Sequence, residues 1–159
     1  MKTNDTQLPY FKLASVWVMA LVSLLVTIGY LVTPILFSAL PQHQAGELAG
    51  LLFNVASLIV SGSLFLLIAF YAFYKKKPKN VKSLGLSLGL LMTLRFWISP
   101  WMAEIKAHNP LGIDHNSADW SLFASLHGAY QMGYLSIILL LLYWSLKTLF
   151  GRVIKPFNK

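Results

Sequence analysis

Three of the four long apolar runs in this chain contain no Asp, Glu, Lys or Arg, and the remaining one contains a single charge, Arg95. The runs cover approximately residues 13–37, 48–74, 83–102 and 122–146. Each can cross about 30 Å of hydrocarbon, a distance that takes about 20 helical residues. Their apolarity is continuous rather than alternating, which selects helices over barrel strands, since a helix satisfies its own backbone in lipid. The expected fold is an all-α, integral membrane four-helix bundle, one domain over residues 1–159. The first run, at about 25 residues, exceeds the roughly 7–15 of a signal-peptide core and reads as a retained helix. Charged residues make up only 11% of the chain, against about 25% in a soluble domain.

Orientation follows from the basic residues. Lys75, Lys76, Lys77, Lys79 and Lys82 join the second and third runs, Lys2 and Lys12 precede the first, and Lys147, Arg152, Lys155 and Lys159 follow the fourth. Of the thirteen basic residues only Arg95 and Lys106 lie elsewhere. The positive-inside rule then makes both termini cytoplasmic, in a bacterial-type inner membrane. The net charge of +8 is explained by this asymmetry and by attraction to anionic lipid, so no nucleic-acid partner is expected. Tyr10, Trp17, Tyr74, Trp101 and Trp120 mark membrane interfaces, where amphipathic rings prefer to sit. With no cysteine, disulfides and thiolate sites are excluded.

Small residues predict packing faces: Gly46, Gly50, Asn54, Ser57 and Ser61 on the second helix, Gly85 and Gly89 on the third, and Ser125, Ala129 and Gly133 on the fourth. Such stripes let helices approach where no hydrophobic force drives association. The first and third helices both finish on a hydroxyl and a proline, Thr33-Pro34 and Ser99-Pro100. Pro34 and Pro100 are expected to bend their helices, because proline removes a backbone donor.

The stretch Thr33-Pro34-Ile35-Leu36-Phe37-Ser38-Ala39-Leu40-Pro41, followed by Ala45-Gly46-Glu47-Leu48-Ala49-Gly50-Leu51-Leu52-Phe53, resembles the signature of the transmembrane-protein-205-like domain family. Pro100-Trp101-Met102 and Phe123-Ala124-Ser125-Leu126-His127-Gly128 fit it as well. Gln42 and Gln44 stand where that family would carry basic residues around the Ala-Gly turn. The resemblance implies a small four-helix membrane protein without a settled activity. It also implies a distant likeness to copper-resistance-type and haem-associated four-helix proteins, which brings a metal or porphyrin ligand into consideration.

No Gly-x-Ser-x-Gly, P-loop or His-Glu-x-x-His occurs, so the chain is not expected to be an enzyme. Arg95 is the most informative residue, because intramembrane charges face an interior or a wet cavity and find a partner. The expected partner is Glu47, with Glu104 and Asp119 as alternatives. His127 shares a helix surface with Tyr130 and Gln131. It is either a hydrogen-bonded interior group or a metal ligand, the latter needing Met102, Met132 or His43 as a second, soft-site donor for Cu(I). In the outer loop, His108, Asp114, His115 and Asp119 fit no metal spacing; Asn109-Pro110-Leu111-Gly112 reads as a turn and Asn116 or Ser117 as a helix cap. The leading expectation is a binding or transport-type protein with a polar site of Arg95, Glu47, His127, Gln131 and Asn54 in the outer half of the bundle. Two others stand beside it: a metal- or haem-binding protein centred on His127, and a structural subunit that docks another membrane protein. Either transport or assembly would call for a homodimer or a partner.

Overall fold

The computed structural model describes residues 8–73, 81–109, 112–114 and 116–150, and every regular element among them is helical. Four stretches are long and apolar enough to cross a membrane: Tyr10–Ala39, Gln42–Phe73, Val81–His108 and Ala118–Phe150. They are called here the first to fourth spans, and the chain is a multi-pass membrane protein. The third span runs on past Met102 to His108, and the fourth begins at Ala118, so both extend beyond their apolar runs.

Local chemistry sets the start of the fourth span. Ser117 Oγ accepts the Trp120 backbone N–H at 3.1 Å, which makes Ser117 the N-cap, and Asp119 lies in the first turn near the positive end of the helix. Asp114 takes the Asn116 N–H at 3.0 Å and its carbonyl takes the Ser117 hydroxyl at 2.6 Å. Gly112, at φ 110°, donates its N–H to the Asn109 carbonyl at 3.0 Å, closing the turn that the sequence predicts. Pro110, Leu111 and His115 lie outside the described residues.

The fourth span packs against the first and the third, and the second packs against the same two. The second and fourth spans therefore lie across the bundle from one another. Near the lysine-rich connection the bundle is closed: Phe11, Tyr71 and Trp144 meet there, and Ser15 and Ser145 exchange hydroxyl-to-carbonyl hydrogen bonds at 2.8 and 3.3 Å between the first and fourth spans. This end is the lysine half; the end holding Pro34 and Pro100 is the proline half. The core is concentrated in the lysine half. The buried residues of the fourth span begin at Tyr134 and run to Ser145, and the first span buries nothing after Ile28.

The same device interrupts the first and third spans. Residues Thr27–Val32 and Leu94–Ile98 form π turns, ending immediately before Thr33-Pro34 and Ser99-Pro100. The N–H of Thr33 reaches back to the Ile28 carbonyl, and that of Ser99 to the Leu94 carbonyl. Proline has no N–H, and its ring would strike the carbonyl four residues earlier; the wider turn relieves that clash. Both π turns dock on adjacent residues of the fourth span. A side chain at Gly29 would come within 2.9 Å of the Tyr134 ring, and one at Gly133 within 2.8 Å of Leu94. Tyr134 also donates to the Leu25 carbonyl at 2.7 Å. These contacts and the edge-on packing of Phe53 against Tyr130 and Tyr134 form an apolar floor at mid-bundle.

The expected small-residue faces are only partly used. Ser57 and Ser61 are buried, and Gly133 makes the close approach just described. A side chain at Gly50, Gly85 or Gly89 would meet nothing within 4 Å, and Ser125 and Ala129 are exposed. The buried face of the third span is instead Ser83, Leu84, Ser87 and Leu91.

Candidate functional site

Above the floor the proline half is loosely closed. Past Pro34 the first span packs mainly on the second, which leaves the facing surface of the fourth span, with His127 and Gln131, exposed. Pro34 and Pro100 are themselves exposed. Their contribution is the preceding π turns, and no lining of the site comes from them.

Arg95 lies within the second π turn, between the second and fourth spans. Its neighbour Leu94 packs against Gly133, and successive helical side chains diverge by roughly 100°. Arg95 is thereby directed at the second span. Its Nη1 donates to Asn54 Oδ1 at 2.6 Å, to the Asn54 carbonyl at 3.1 Å and to Ser57 Oγ at 2.7 Å. Ser57 in turn donates to the Asn54 carbonyl at 2.8 Å, so a hydroxyl, an amide and a main-chain carbonyl form one receptor for one edge of the guanidinium.

This arrangement corrects the expected Arg95–Glu47 pair. The third span continues to His108, so Arg95 sits roughly 20 Å below its end rather than about 9 Å. Asn54 lies about 18 Å below the start of the second span at Gln42, at nearly the same level, whereas Glu47 is two turns higher. Glu47 is instead 3.7 Å from His43 Nε2, with both side chains largely exposed, and lies within electrostatic range of Lys106. Asp119 accepts from Asn109 Nδ2 at 2.9 Å. Among the described residues Arg95 has no carboxylate within ion-pairing distance, and its Nε and Nη2 form no hydrogen bond.

Lys106 is the site residue that the sequence reading passed over, because it counted only as an exception to the lysine asymmetry. Its ammonium lies 5.7 Å from the Phe123 ring centroid and would be 3.7 Å from a side chain added at Gly46. It also lies within electrostatic range of His127. It thus spans the mouth of the proline half between the second and fourth spans. The available signal was its position eleven residues after Arg95, about three turns along one helix face.

His127 and Gln131 come together as their spacing predicts. The Gln131 amide nitrogen and His127 Nε2 are 2.9 Å apart, so the amide donates and the ring carries its proton on Nδ1. Phe123 stacks on the imidazole, 6.0 Å between centroids and 13° between planes. Tyr130, next in sequence to Gln131, is hydrogen-bonded to Ser99 and lies within electrostatic range of Arg95. Met132 is 66% exposed and turned away from His127, as its spacing indicates, and His43 is taken up with Glu47. Among the described residues no group of three or more His, Asp or Glu side chains could hold a metal ion. A separate groove of about 650 Å³ lies between the ends of the third and fourth spans, lined by Trp101, Glu104, His108 and Asp119 with apolar neighbours. His108 Nδ1 there is 2.9 Å from the Glu104 carbonyl of its own helix.

Chemically, the proline half gathers hydrogen-bond donors from three spans: the open edge of Arg95, the Lys106 ammonium, the Tyr130 phenol and the amides of Asn54 and Gln131. The groups are arranged above an apolar floor.

No curated protein and no solved structure matches this chain. Residues 13–110, which hold Glu47, Asn54, Arg95 and Lys106, match a family described as a domain of unknown function, DUF4149. The chain therefore belongs to the DUF4149 family.

Proposed function

We propose that this protein binds, or helps to move, a small polar ligand or ion at the Arg95 cluster, and that it has no catalytic chemistry of its own. One observation carries the reading: an intramembrane arginine is anchored by Asn54 and Ser57 through Nη1 alone. A charge at this depth costs about 2.5–3.5 kcal/mol on insertion scales and is retained where it faces an interior or wet cavity. The lysine asymmetry supports placing the lysine half, with both termini, on the cytoplasmic side of a bacterial-type inner membrane, so that the site opens outward. The likeness of residues 33–53 to transmembrane-protein-205-like domains is compatible with this reading and adds no activity to it.

The reading centred on a metal or haem at His127 is less well supported, because the ring nitrogen facing the site is engaged by Gln131, Met132 is exposed and His43 stands beside Glu47. Docking of a second membrane helix, in a homodimer or with another protein, is favoured by one feature, the open Gly85 and Gly89 surface. Native mass spectrometry with elemental analysis of gently purified protein tests the main reading. A small polar adduct that disappears in Arg95→Gln supports it, and stoichiometric metal or porphyrin that survives Arg95→Gln but not His127→Leu overturns it.

A further inference from the structure

Among the described residues the Arg95 cluster has no negative charge. Its cation is met by an amide oxygen, a carbonyl and a hydroxyl, all neutral, and all of them on one nitrogen. The carboxylates near this end are occupied or exposed: Glu47 beside His43 and within electrostatic range of Lys106, Glu104 exposed in the separate groove, Asp119 on Asn109, and Asp114 on the Asn116 backbone. A guanidinium presents five N–H donors in a planar fork, and the Nε/Nη2 edge has the spacing that a carboxylate or phosphate fills with two parallel bonds. Anchoring Nη1 fixes the plane of the fork before any ligand arrives, so less side-chain freedom is lost on binding.

Resting on the proposed ligand-site reading and naming its ligand class, we infer that the site takes an anionic phosphate group held by the free edge of Arg95 and steered in past Lys106. Lys106 stands about 16 Å nearer the mouth on the same span, beside Phe123 and within electrostatic range of His127. Its charge raises the local concentration of anions at the entrance, and the apolar floor below strengthens each charge-assisted bond by excluding water. Tyr130 lies within electrostatic range of Arg95, Gln131 is at a similar depth, and both supply neutral donors. The same chemistry serves a soluble anion entering from the aqueous end or the head group of an acidic lipid entering where the first and fourth spans part.

Three probes separate these sources on the full chain in neutral detergent: inorganic phosphate, dihexanoylphosphatidic acid and, as the uncharged analogue with the same tails, dihexanoylglycerol. Binding is read by isothermal titration and by the thermal shift. Saturable binding of phosphate that falls at least about tenfold in Arg95→Gln supports the inference with a soluble source. Binding of the phosphatidic acid but of neither phosphate nor the glycerol, with the same loss in Arg95→Gln, supports it with a lipid source. The expected loss corresponds to one charge-assisted contact. Lys106→Gln should weaken binding less, about threefold, with a steeper loss at low salt. If Arg95→Gln does not fold, Arg95→Lys serves instead, because an ammonium lacks the planar two-nitrogen edge that pairs with the anion through two parallel bonds. Equal binding of the glycerol and the phosphatidic acid, or binding indifferent to Arg95, overturns the anion inference while leaving a neutral-ligand site standing. A neutral polar molecule as the adduct of the native protein does the same. No binding of either anion also overturns it.

Discussion

Replacing Asn54 by Leu tests whether Arg95 is truly held by the second span. The substitution removes the 2.6 Å acceptor Oδ1 but leaves the residue-54 carbonyl at 3.1 Å and Ser57 Oγ at 2.7 Å. A hydrogen bond to a charged group is worth about 1.5–3 kcal/mol in soluble proteins. Interhelical polar contacts in bilayers average about 0.6 and reach about 1.7 kcal/mol, because the unfolded chain in the membrane also finds partners. With two of three Nη1 contacts kept, the expected loss is about 1 kcal/mol. Reversible unfolding in mixed micelles of increasing dodecyl sulfate content measures it. A double-mutant cycle with Arg95→Met should return a coupling of about 1 kcal/mol, whereas the cycle of Glu47→Gln with Arg95→Met should be additive within about 0.3 kcal/mol. A coupling larger for Glu47 than for Asn54 would refute the pairing described here.

Gly133→Val should destabilise the bundle by roughly 1–3 kcal/mol in the same assay, because its side chain meets Leu94 at 2.8 Å; Gly85→Ala, with open space around it, should be neutral or slightly stabilising. Ser87→Ala should raise stability by up to about 1 kcal/mol, since the buried Ser87 hydroxyl has no hydrogen-bond partner among the described residues and its removal ends a desolvation cost. His127→Gln should remain folded with an intact site. His127→Leu, which removes the partner of Gln131, should lose at most about 1 kcal/mol at so exposed a position, and a larger loss would show that the imidazole carries more than this contact.

The four spans are legible because twenty-residue apolar runs have few alternative fates, and the hydroxyl–proline pairs mark where each odd span is interrupted. Depth alone places Arg95 level with Asn54, and spacing alone pairs His127 with Gln131. The partner of Arg95 is not so legible, because it depends on where the third span ends. Ile105 is buried and Ala103 and Ala107 favour helix, so the span carries Glu104 and Lys106 along with it to His108. That extension lowers Arg95 by about two turns relative to the end and brings Lys106 toward the cluster. The π turns are equally hidden: one widened turn re-aims every later side chain, and the sequence shows only the proline that causes it. The glycine stripes mislead for a related reason. A small residue permits close approach without requiring it, and only Gly29 and Gly133 stand where a π turn meets the fourth span.

The central claim is a polar cleft shared by the second, third and fourth spans and reached from the lysine-poor end, and cysteine accessibility in intact cells tests it most directly. The chain has no cysteine of its own, so each introduced thiol reports alone. Asn54→Cys and Gln131→Cys should react with a membrane-impermeant thiol reagent added outside, as should the surface controls Gln42→Cys and Ile113→Cys. Leu139→Cys, exposed but facing lipid, should not react, and Asn80→Cys should react only after the membrane is opened. Unreactive thiols at 54 and 131 beside reactive controls at 42 and 113 would contradict the cleft, and reaction at residue 80 from outside would reverse its orientation.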